Sequence, residues 1–166
     1  VKMHMKTNYL DAFIETLGRE ALTQIQLKKL QMMLSPVLET NPFYRRKLGE
    51  AGVTQPENVQ TFEDYRRLPF TTKAELSADQ AAYPPYGTNL TFPLERYIRI
   101  HQTSGTTGES LRWLDTEESW NWWARCWGAV YNAAGVTSGD RIFFAFSFGP
   151  FIGFWSAHEG ARHMGA

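Results

Sequence analysis

The sequence predicts an α/β fold in which a helical N-terminal lobe, residues 1–82, precedes a sheet flanked by helices, residues 83–166. Apolar residues recur at helical spacing early in the chain, and polar and apolar residues alternate in two short segments near residue 100. All six tryptophans lie between Trp113 and Trp155, whereas every lysine lies at or before Lys73. The two parts therefore differ in composition as well as in periodicity.

The composition argues against several classes of protein. Among the 166 residues, 17 Lys and Arg balance 17 Asp and Glu, which removes the electrostatic argument for a nucleic acid or an acidic membrane as partner. Hydrophobic residues make up 43% of the chain and charged residues 20%, which argues against disorder. No segment has the apolar length of a membrane span. The single Cys126 favours a reducing compartment, so the cytoplasm is the expected location.

Residues 19–48 are predicted to form helices, with an apolar stripe of Leu22, Ile25, Leu30, Met33 and Leu34. Pro36 and Pro42 should each break or restart the helix, because the residue before a proline avoids the helical conformation. Thr72 is predicted to cap a short helix that runs to Gln80. The Pro- and Tyr-rich turn that starts at residue 83 is the predicted boundary between the two lobes.

The second lobe is predicted to contain a strand, a long helix and a further strand. Residues 96–101 and 110–114 alternate as half-buried strands do. Asp115, with Glu118 three residues later, is predicted to cap a helix whose apolar face comprises Trp120, Trp123, Ala124, Trp127, Tyr131 and Ala134. Residues 141–146 form an apolar run typical of a strand buried on both faces, and a last helix is expected between Ile152 and Met164.

Several chemistry-bearing residues have plain structural interpretations. The tryptophans of the long helix are predicted to pack in the core, with Trp122 as the exception. Cys126 has no His or Asp partner in its helix and is predicted to be a buried thiol. His158 and His163 are five residues apart, not the four that place two ligands on one helical face, so no metal site is predicted. His101 remains without an assigned role.

The segment most suggestive of chemistry is a Gly- and hydroxyl-rich loop between the first two strands. Two glycines let the backbone approach an anion closely, and four hydroxyls can donate to phosphate oxygens. The spacing matches neither a Walker loop nor a dinucleotide-binding turn, and a simple hairpin connection would have a similar composition. The candidate phosphate-binding residues are Thr103, Ser104, Gly105, Thr106, Thr107 and Gly108.

The stretch Arg99-Ile-His-Gln-Thr-Ser-Gly-Thr-Thr-Gly108 resembles the phosphate loop of the adenylate-forming acyl-CoA ligases, in particular the phenylacetate-CoA ligase group. Four further segments are similar to that group in the same order. They are residues 41–46, 68–76, 134–140 and 146–151. The resemblance implies the start of the large adenylate-forming domain, with the sheet apparently truncated.

The resemblance implies that a carboxylic acid reacts with ATP to give an acyl-adenylate, which is then transferred to coenzyme A. Mg²⁺ is expected with ATP, the loop is expected to hold the departing phosphates, and an apolar or aromatic acid is expected to be the substrate. The resemblance and the helical lobe together point to a homodimer. The implied acyl pocket includes Phe148, Gly149 and Phe151.

The chain departs from the family pattern in two ways. Glu109 and the residues after it replace the usual Lys-Pro pair and leave Arg112 as the nearest cation, which puts ATP affinity in question. The family's acidic metal motif, ribose-binding aspartate and catalytic lysine are expected downstream of Ala166. The expectation is therefore the N-terminal part of a longer ligase, inactive alone. The alternatives are a nucleotide-binding homologue without catalysis and an adenylate-forming enzyme with a non-CoA acceptor.

Overall fold

The computed structural model describes residues 9–103, 105 and 110–166. This part of the chain is mostly helical and contains one small sheet. The observation agrees with the prediction of a helical lobe followed by a lobe that contains both strands and helices. The elements in chain order are α1 (Ala12–Glu15), α2 (Arg19–Thr40), α3 (Pro42–Glu50), α4 (Phe62–Arg66), α5 (Lys73–Ala82), β1 (Tyr97–Gln102), β2 (Arg112–Thr116), α6 (Glu117–Ala133) and α7 (Ile152–Met164).

The first hydrophobic core joins α2, α3 and the loop that follows α3. Its buried members are Leu34, Leu38, Leu48, Val53 and Val59. Helix α2 continues through Pro36, so the predicted break at that residue is wrong. Leu34 and Leu38 lie on either side of the proline and are both buried, so their packing offsets the hydrogen bond that Pro36 cannot donate. The break before Pro42 is confirmed.

Helix α5 begins with the predicted cap. The Thr72 hydroxyl oxygen accepts a hydrogen bond from Glu75 N at 3.3 Å, and Glu75 Oε2 accepts from Thr72 N at 2.7 Å. Glu75 also contacts the Lys47 ammonium of α3. These interactions, with the Lys47 hydrogen bond first, lower the pKa of Glu75 to about 2. One carboxylate thus caps α5 and ties it to α3.

We expect the stability of the chain to fall between pH 4.5 and pH 2 through Glu75. Its pKa is about 2 in the folded chain against an ordinary value of 4.5, so the unfolded chain takes up the proton first as the pH drops. Glu75→Gln keeps the capping geometry without the charge. The urea midpoint of the wild type should exceed that of the variant above pH 4.5 and approach it near pH 2.

Urea midpoints measured across this pH range provide the check, with Glu39→Gln as the control for removal of one exposed surface carboxylate. A difference between wild type and Glu75→Gln that stays constant with pH would contradict the assignment.

A second, smaller core joins the two predicted lobes, because it contains Phe43 of α3, Leu76 of α5 and Leu111 just before β2. Strands β1 and β2 form an antiparallel pair in which Ile100 lies opposite Leu114 and His101 opposite Trp113. Both predicted strands are therefore confirmed, one or two residues later than predicted. The division at residues 82 and 83 remains a prediction.

The helix after β2 is confirmed, but its N-cap is Thr116 and not Asp115. The Thr116 hydroxyl accepts from Ser119 N at 3.2 Å, while Asp115 is the penultimate residue of β2. Trp120 and Ala124 are buried as predicted, whereas Trp123 is 42% exposed. Cys126 is exposed, so the prediction of a buried thiol is wrong.

Residues 141–146 do not form the predicted strand. Exposure alternates along them, from half-buried Ile142 and Phe144 to Phe143, which is 89% exposed. A strand needs a neighbouring strand to satisfy its backbone, and no such neighbour lies beside this segment in the part of the chain that the structure describes. The half-buried rings instead pack on α7, where Phe146 stacks on Phe154 at 3.8 Å between ring centroids.

Candidate functional site

The β1–β2 hairpin holds both ends of the candidate phosphate loop. Thr103 N donates to Leu111 O at 3.0 Å, and Leu111 N donates to Thr103 Oγ1 at 3.0 Å. Gly105 has φ of +63°, a left-handed conformation that glycine adopts without steric cost. The two hydrogen bonds hold Thr103 and Leu111, at the two ends of the loop, close together. We call this pair the base of the loop. The predicted loop residues Ser104, Thr106, Thr107 and Gly108, together with Glu109, lie outside the described residues.

The base of the loop is fixed to the helical lobe. Leu111 is 4% exposed and packs against Phe43 and Leu76. The Gln80 amide pairs with the backbone of Arg112, donating to its carbonyl at 2.8 Å and accepting from its N–H at 3.0 Å. Helix α5 thus extends the hydrogen bonding of β2 where the loop ends.

A polar cavity of about 310 Å³ lies beside this base, lined by Gln80, Gln102, Ser110 and Arg112. The Arg112 guanidinium, predicted to be the nearest cation to the loop, donates to Pro85 O at 2.9 Å. The guanidinium has five donors, and among the described residues it uses one of them for this bond. The Arg112 cation thus lies among neutral hydrogen-bonding groups beside the base of the loop.

The second predicted segment lies next to the first. Gln102 N, at the end of β1, donates to Pro150 O at 2.8 Å, which places residues 147–151 beside the base of the loop. Gly149 O accepts from Trp155 Nε1 at 2.7 Å. The Phe148 ring packs against Trp155 and His158, with centroids 4.6 and 5.4 Å away. The turn is therefore anchored on β1 and on α7.

A groove of about 380 Å³ is lined by residues from both the predicted phosphate loop and the implied acyl pocket. It is lined by His101, Gln102, Thr103, Trp113, Leu114, Asp115, Trp123, Phe151 and Ile152. Thr103 of the loop and Phe151 of the implied acyl pocket share this groove, whereas Phe148 and Gly149 do not line it. Its walls are mostly apolar with a few polar groups, the composition usual for small-molecule pockets.

Sequence reasoning did not place Trp113 or Trp123 at this groove. Both indoles are 42% exposed, and the helical spacing of Trp123 had suggested the core. The aromatic content of the segment was visible in the sequence, but which rings face the groove depends on how α6 packs against β2.

His101 and Asp115 form the polar floor of the groove. His101 is 3% and Asp115 is 8% exposed, and Nε2 of the imidazole lies 3.8 Å from Asp115 Oδ2. The other oxygen of Asp115 accepts from Ser119 Oγ at 2.8 Å. Burial lowers the pKa of the His101 imidazole below its usual value, with the Asp115 carboxylate acting in the opposite direction. The imidazole is therefore neutral at pH 7.

The described residues contain neither a cluster of metal-ligating side chains nor a helix that could span a membrane. Within residues 9–103, 105 and 110–166, no group of three or more His, Cys, Asp or Glu side chains is arranged to hold a metal ion. No helix in the described part of the chain is long and apolar enough to span a membrane.

Comparison with curated proteins places the chain beside phenylacetate-coenzyme A ligases. It is 35% identical to the enzyme of Escherichia coli (strain K12) over 153 residues, which cover 92% of this chain and 34% of that protein. It is 36% identical to the enzyme of Thermus thermophilus over 152 residues, with 92% and 33% coverage. The chain spans about a third of the length of these relatives. No family model matches the chain.

Solved structures of 2-hydroxyisobutyryl-CoA ligase share the fold. The open conformation, in complex with 2-HIB-AMP and CoA, matches with a TM-score of 0.88 and 29% identity over 97% of this chain and 37% of that one. The same ligase in the thioesterification state matches with a TM-score of 0.83 and 32% identity over 90% of this chain and 31% of that one. Both neighbours thus hold an acyl-adenylate and CoA.

Proposed function

We propose that this chain belongs to the phenylacetate-CoA ligase group of the adenylate-forming acyl-CoA ligases and is the N-terminal part of an ATP-dependent acid-CoA ligase. The whole protein would activate a carboxylic acid as its acyl-adenylate and transfer the acyl group to coenzyme A. The curated and structural relatives, which cover at least 90% of the chain, support this proposal.

The observation that carries the proposal is the hydrogen bond between Gln102 N and Pro150 O. It brings the base of the candidate phosphate loop next to the segment with the candidate acyl-contacting rings. Adenylation needs the acid carboxylate and the α-phosphate side by side, because positioning supplies much of the rate of phosphoryl transfer. The two segments to which the resemblance assigns the phosphates and the acid therefore lie next to each other, which supports the proposal.

In the proposed reaction a carboxylate oxygen attacks the α-phosphorus of ATP, and the bond from that phosphorus to the bridging oxygen breaks as pyrophosphate leaves. The thiol of coenzyme A, after losing its proton, then attacks the acyl carbon, and AMP leaves. We propose that Thr103, Ser104, Gly105, Thr106, Thr107 and Gly108 hold the departing phosphates. Thr103 Oγ1 accepts from Leu111 N, so its hydroxyl hydrogen remains free to donate to a phosphate oxygen.

The residues described here fit ATP better than they fit a metal ion. Positive φ at Gly105 and the nearby Arg112 suit an anionic ligand. Mg²⁺ would accompany ATP, and we assign it no ligand on this chain.

The proposed acid is apolar or aromatic, because Trp113, Trp123 and Phe151 line the groove next to Thr103. We keep Phe148 and Gly149 as proposed contacts, since they lie on the same turn as Phe151. A cytoplasmic homodimer with two lobes, residues 1–82 and 83–166, completes the proposal.

The test is made on the full-length natural polypeptide that contains this sequence. Pyrophosphate release is measured with a panel of aryl and aliphatic acids, with and without coenzyme A, and thioester formation is followed by mass spectrometry. The proposal predicts acid-dependent pyrophosphate release and a CoA thioester. Adenine-nucleotide binding without pyrophosphate release would support the non-catalytic alternative, and release without a thioester would support a different acceptor.

We expect Thr103→Val to lower kcat/KM for ATP on the order of 10- to 100-fold, since it removes a hydrogen bond to a charged group and the acceptor for Leu111 N. Thr103→Ser keeps the hydroxyl and should stay within about threefold of the wild type. Pyrophosphate release at varied ATP provides the check, with Thr137→Val as a control at an exposed threonine. Equal activity of the Val and Ser variants would contradict a role for the hydroxyl.

A further inference from the structure

His101 is a buried polar side chain without a partner that explains it. Its exposed fraction is 3%, and neither ring nitrogen makes a hydrogen bond of ordinary geometry within the described residues, although the Pro150 carbonyl lies close enough to favour the protonated ring. The ring stacks on Trp120 of α6 with centroids 5.1 Å apart and an interplanar angle of 24°. Burying an imidazole without hydrogen bonds is unfavourable compared with burying an apolar ring, so packing alone does not account for a histidine here.

His101 directly precedes the two residues that anchor the candidate phosphate loop. The next residue, Gln102, holds the Pro150 carbonyl, and the one after it, Thr103, closes the base of the loop. Across the hairpin, Asp115 Oδ2 lies 3.8 Å from His101 Nε2, slightly beyond hydrogen-bonding distance. Asp115 is itself held by the Ser119 hydroxyl at 2.8 Å. Because the backbones of β1 and β2 are already paired, a small rotation of the imidazole is enough to bring it within hydrogen-bonding distance of the carboxylate.

We propose that His101 is a positioning residue for the phosphate loop, which with Asp115 fixes the end of β1 from which the loop starts. This inference rests on the proposed function and adds a role for a residue that does not itself touch the phosphates. Trp120 stacks on the ring, and the Nε2 edge of the ring faces Asp115. In the proposed role, the hydrogen bond between His101 and Asp115 forms when ATP occupies the loop.

The test compares His101→Phe with His101→Gln in the full-length ligase. Phe keeps an aromatic ring against Trp120 but has no nitrogen to face Asp115, whereas Gln has an amide in place of Nε2. We expect His101→Phe to raise KM for ATP about tenfold, the usual effect of one lost hydrogen bond, with KM for the acid unchanged. His101→Gln should stay within about threefold of the wild type. His163→Phe is the matched control at an exposed histidine of α7.

A merely structural role gives a different result, because loss of folded enzyme lowers apparent kcat and leaves both KM values unchanged. That result, or a His101→Phe enzyme with the wild-type KM for ATP, would overturn the proposal. Should His101→Phe fail to fold, Asp115→Asn must show the same selective rise in KM for ATP.

A binding measurement distinguishes failure of this inference from failure of the proposed function. If the wild type releases no pyrophosphate with any acid, equilibrium dialysis with ATP still compares the wild type with His101→Phe. Weaker ATP binding by the variant would support the positioning role. Equal binding, or no ATP binding by the wild type, would overturn it.

Discussion

Replacing Gly160 with alanine should unfold the chain at a markedly lower temperature than the wild type. A Cβ atom at this position would lie 2.2 Å from Trp127 Cβ and 3.4 Å from Trp127 Cα. Neither atom can move without moving α6, so the two helices would have to separate. Overpacking of this kind costs on the order of 3 kcal/mol, which is about 6 to 12 °C for a chain of this size.

The contact matters because it aligns the longest apolar interface of the second lobe. Gly160 lies on α7 among the small buried residues Ser156, Ala157 and Ala161. The absence of large side chains lets Trp127 Nε1 reach Ser156 Oγ at 2.9 Å, and Tyr131 OH reach Ala157 O at 3.0 Å. Separation of the helices would break both hydrogen bonds together.

Gly128→Ala is the matched control, since it adds the same methyl group in the same interface. A Cβ atom there would meet Leu10 and Met164 at 3.6 Å, an ordinary contact distance. This variant should be as stable as the wild type, or more so, because alanine favours the helix over glycine by roughly 1 kcal/mol. Thermal unfolding followed by circular dichroism decides between them. Equal midpoints for the two variants would contradict the proposed packing.

The elements that the sequence predicted well are those fixed by local chemistry. The cap at Thr72, the break at Pro42 and the presence of both strands depend on neighbours within a few residues, although in β1 Ile98 and Ile100 are exposed and His101 is buried. The candidate loop is correctly placed between two strands for the same reason. These features are legible without knowledge of what packs against them.

The errors occur where distant parts of the chain decide the outcome. Pro36 remains in α2 because leucines on either side of it are buried. Residues 141–146 have the apolar run of a buried strand, but no strand lies beside them within the described residues. Trp123 has the spacing of a core residue and instead lines a groove. A pattern along one element shows an apolar face without showing what covers it.

The candidate site likewise combines features that are visible locally in the sequence with contacts that depend on distant parts of the chain. The loop stands out by its composition and the aromatic turn at 147–151 by the family resemblance, but their contact through Gln102 and Pro150 has no sequence signal. His101 had no assigned role because its interest comes from burial beside Asp115, which lies 14 positions away and on another strand. Identifying such a pair requires the register of the hairpin.

Replacing Asn41 with alanine should cost on the order of 3 kcal/mol, because this side chain has two functions. Its Oδ1 caps α3 by accepting from Tyr44 N at 3.1 Å, and its Nδ2 donates to Asn89 Oδ1 and Thr91 Oγ1, both at 3.0 Å. Asn41 is 2% exposed, so the groups that lose it would be left without water. Loss of the cap contributes about 1 kcal/mol, and the unsatisfied partners contribute the rest.

Thr72→Ala separates the two functions, since Thr72 caps an exposed helix end without a second partner segment and should cost only about 1 kcal/mol. Thr91→Val provides a double-mutant cycle with Asn41→Ala. Because the two side chains are in contact, their effects on the free energy of unfolding should fall short of additivity by about 1 kcal/mol. Chemical denaturation of the four cycle members and Thr72→Ala supplies these values. Additive effects, or equal costs for Asn41→Ala and Thr72→Ala, would mean that Asn41 acts as a helix cap alone and that the 89–91 segment is held by other contacts.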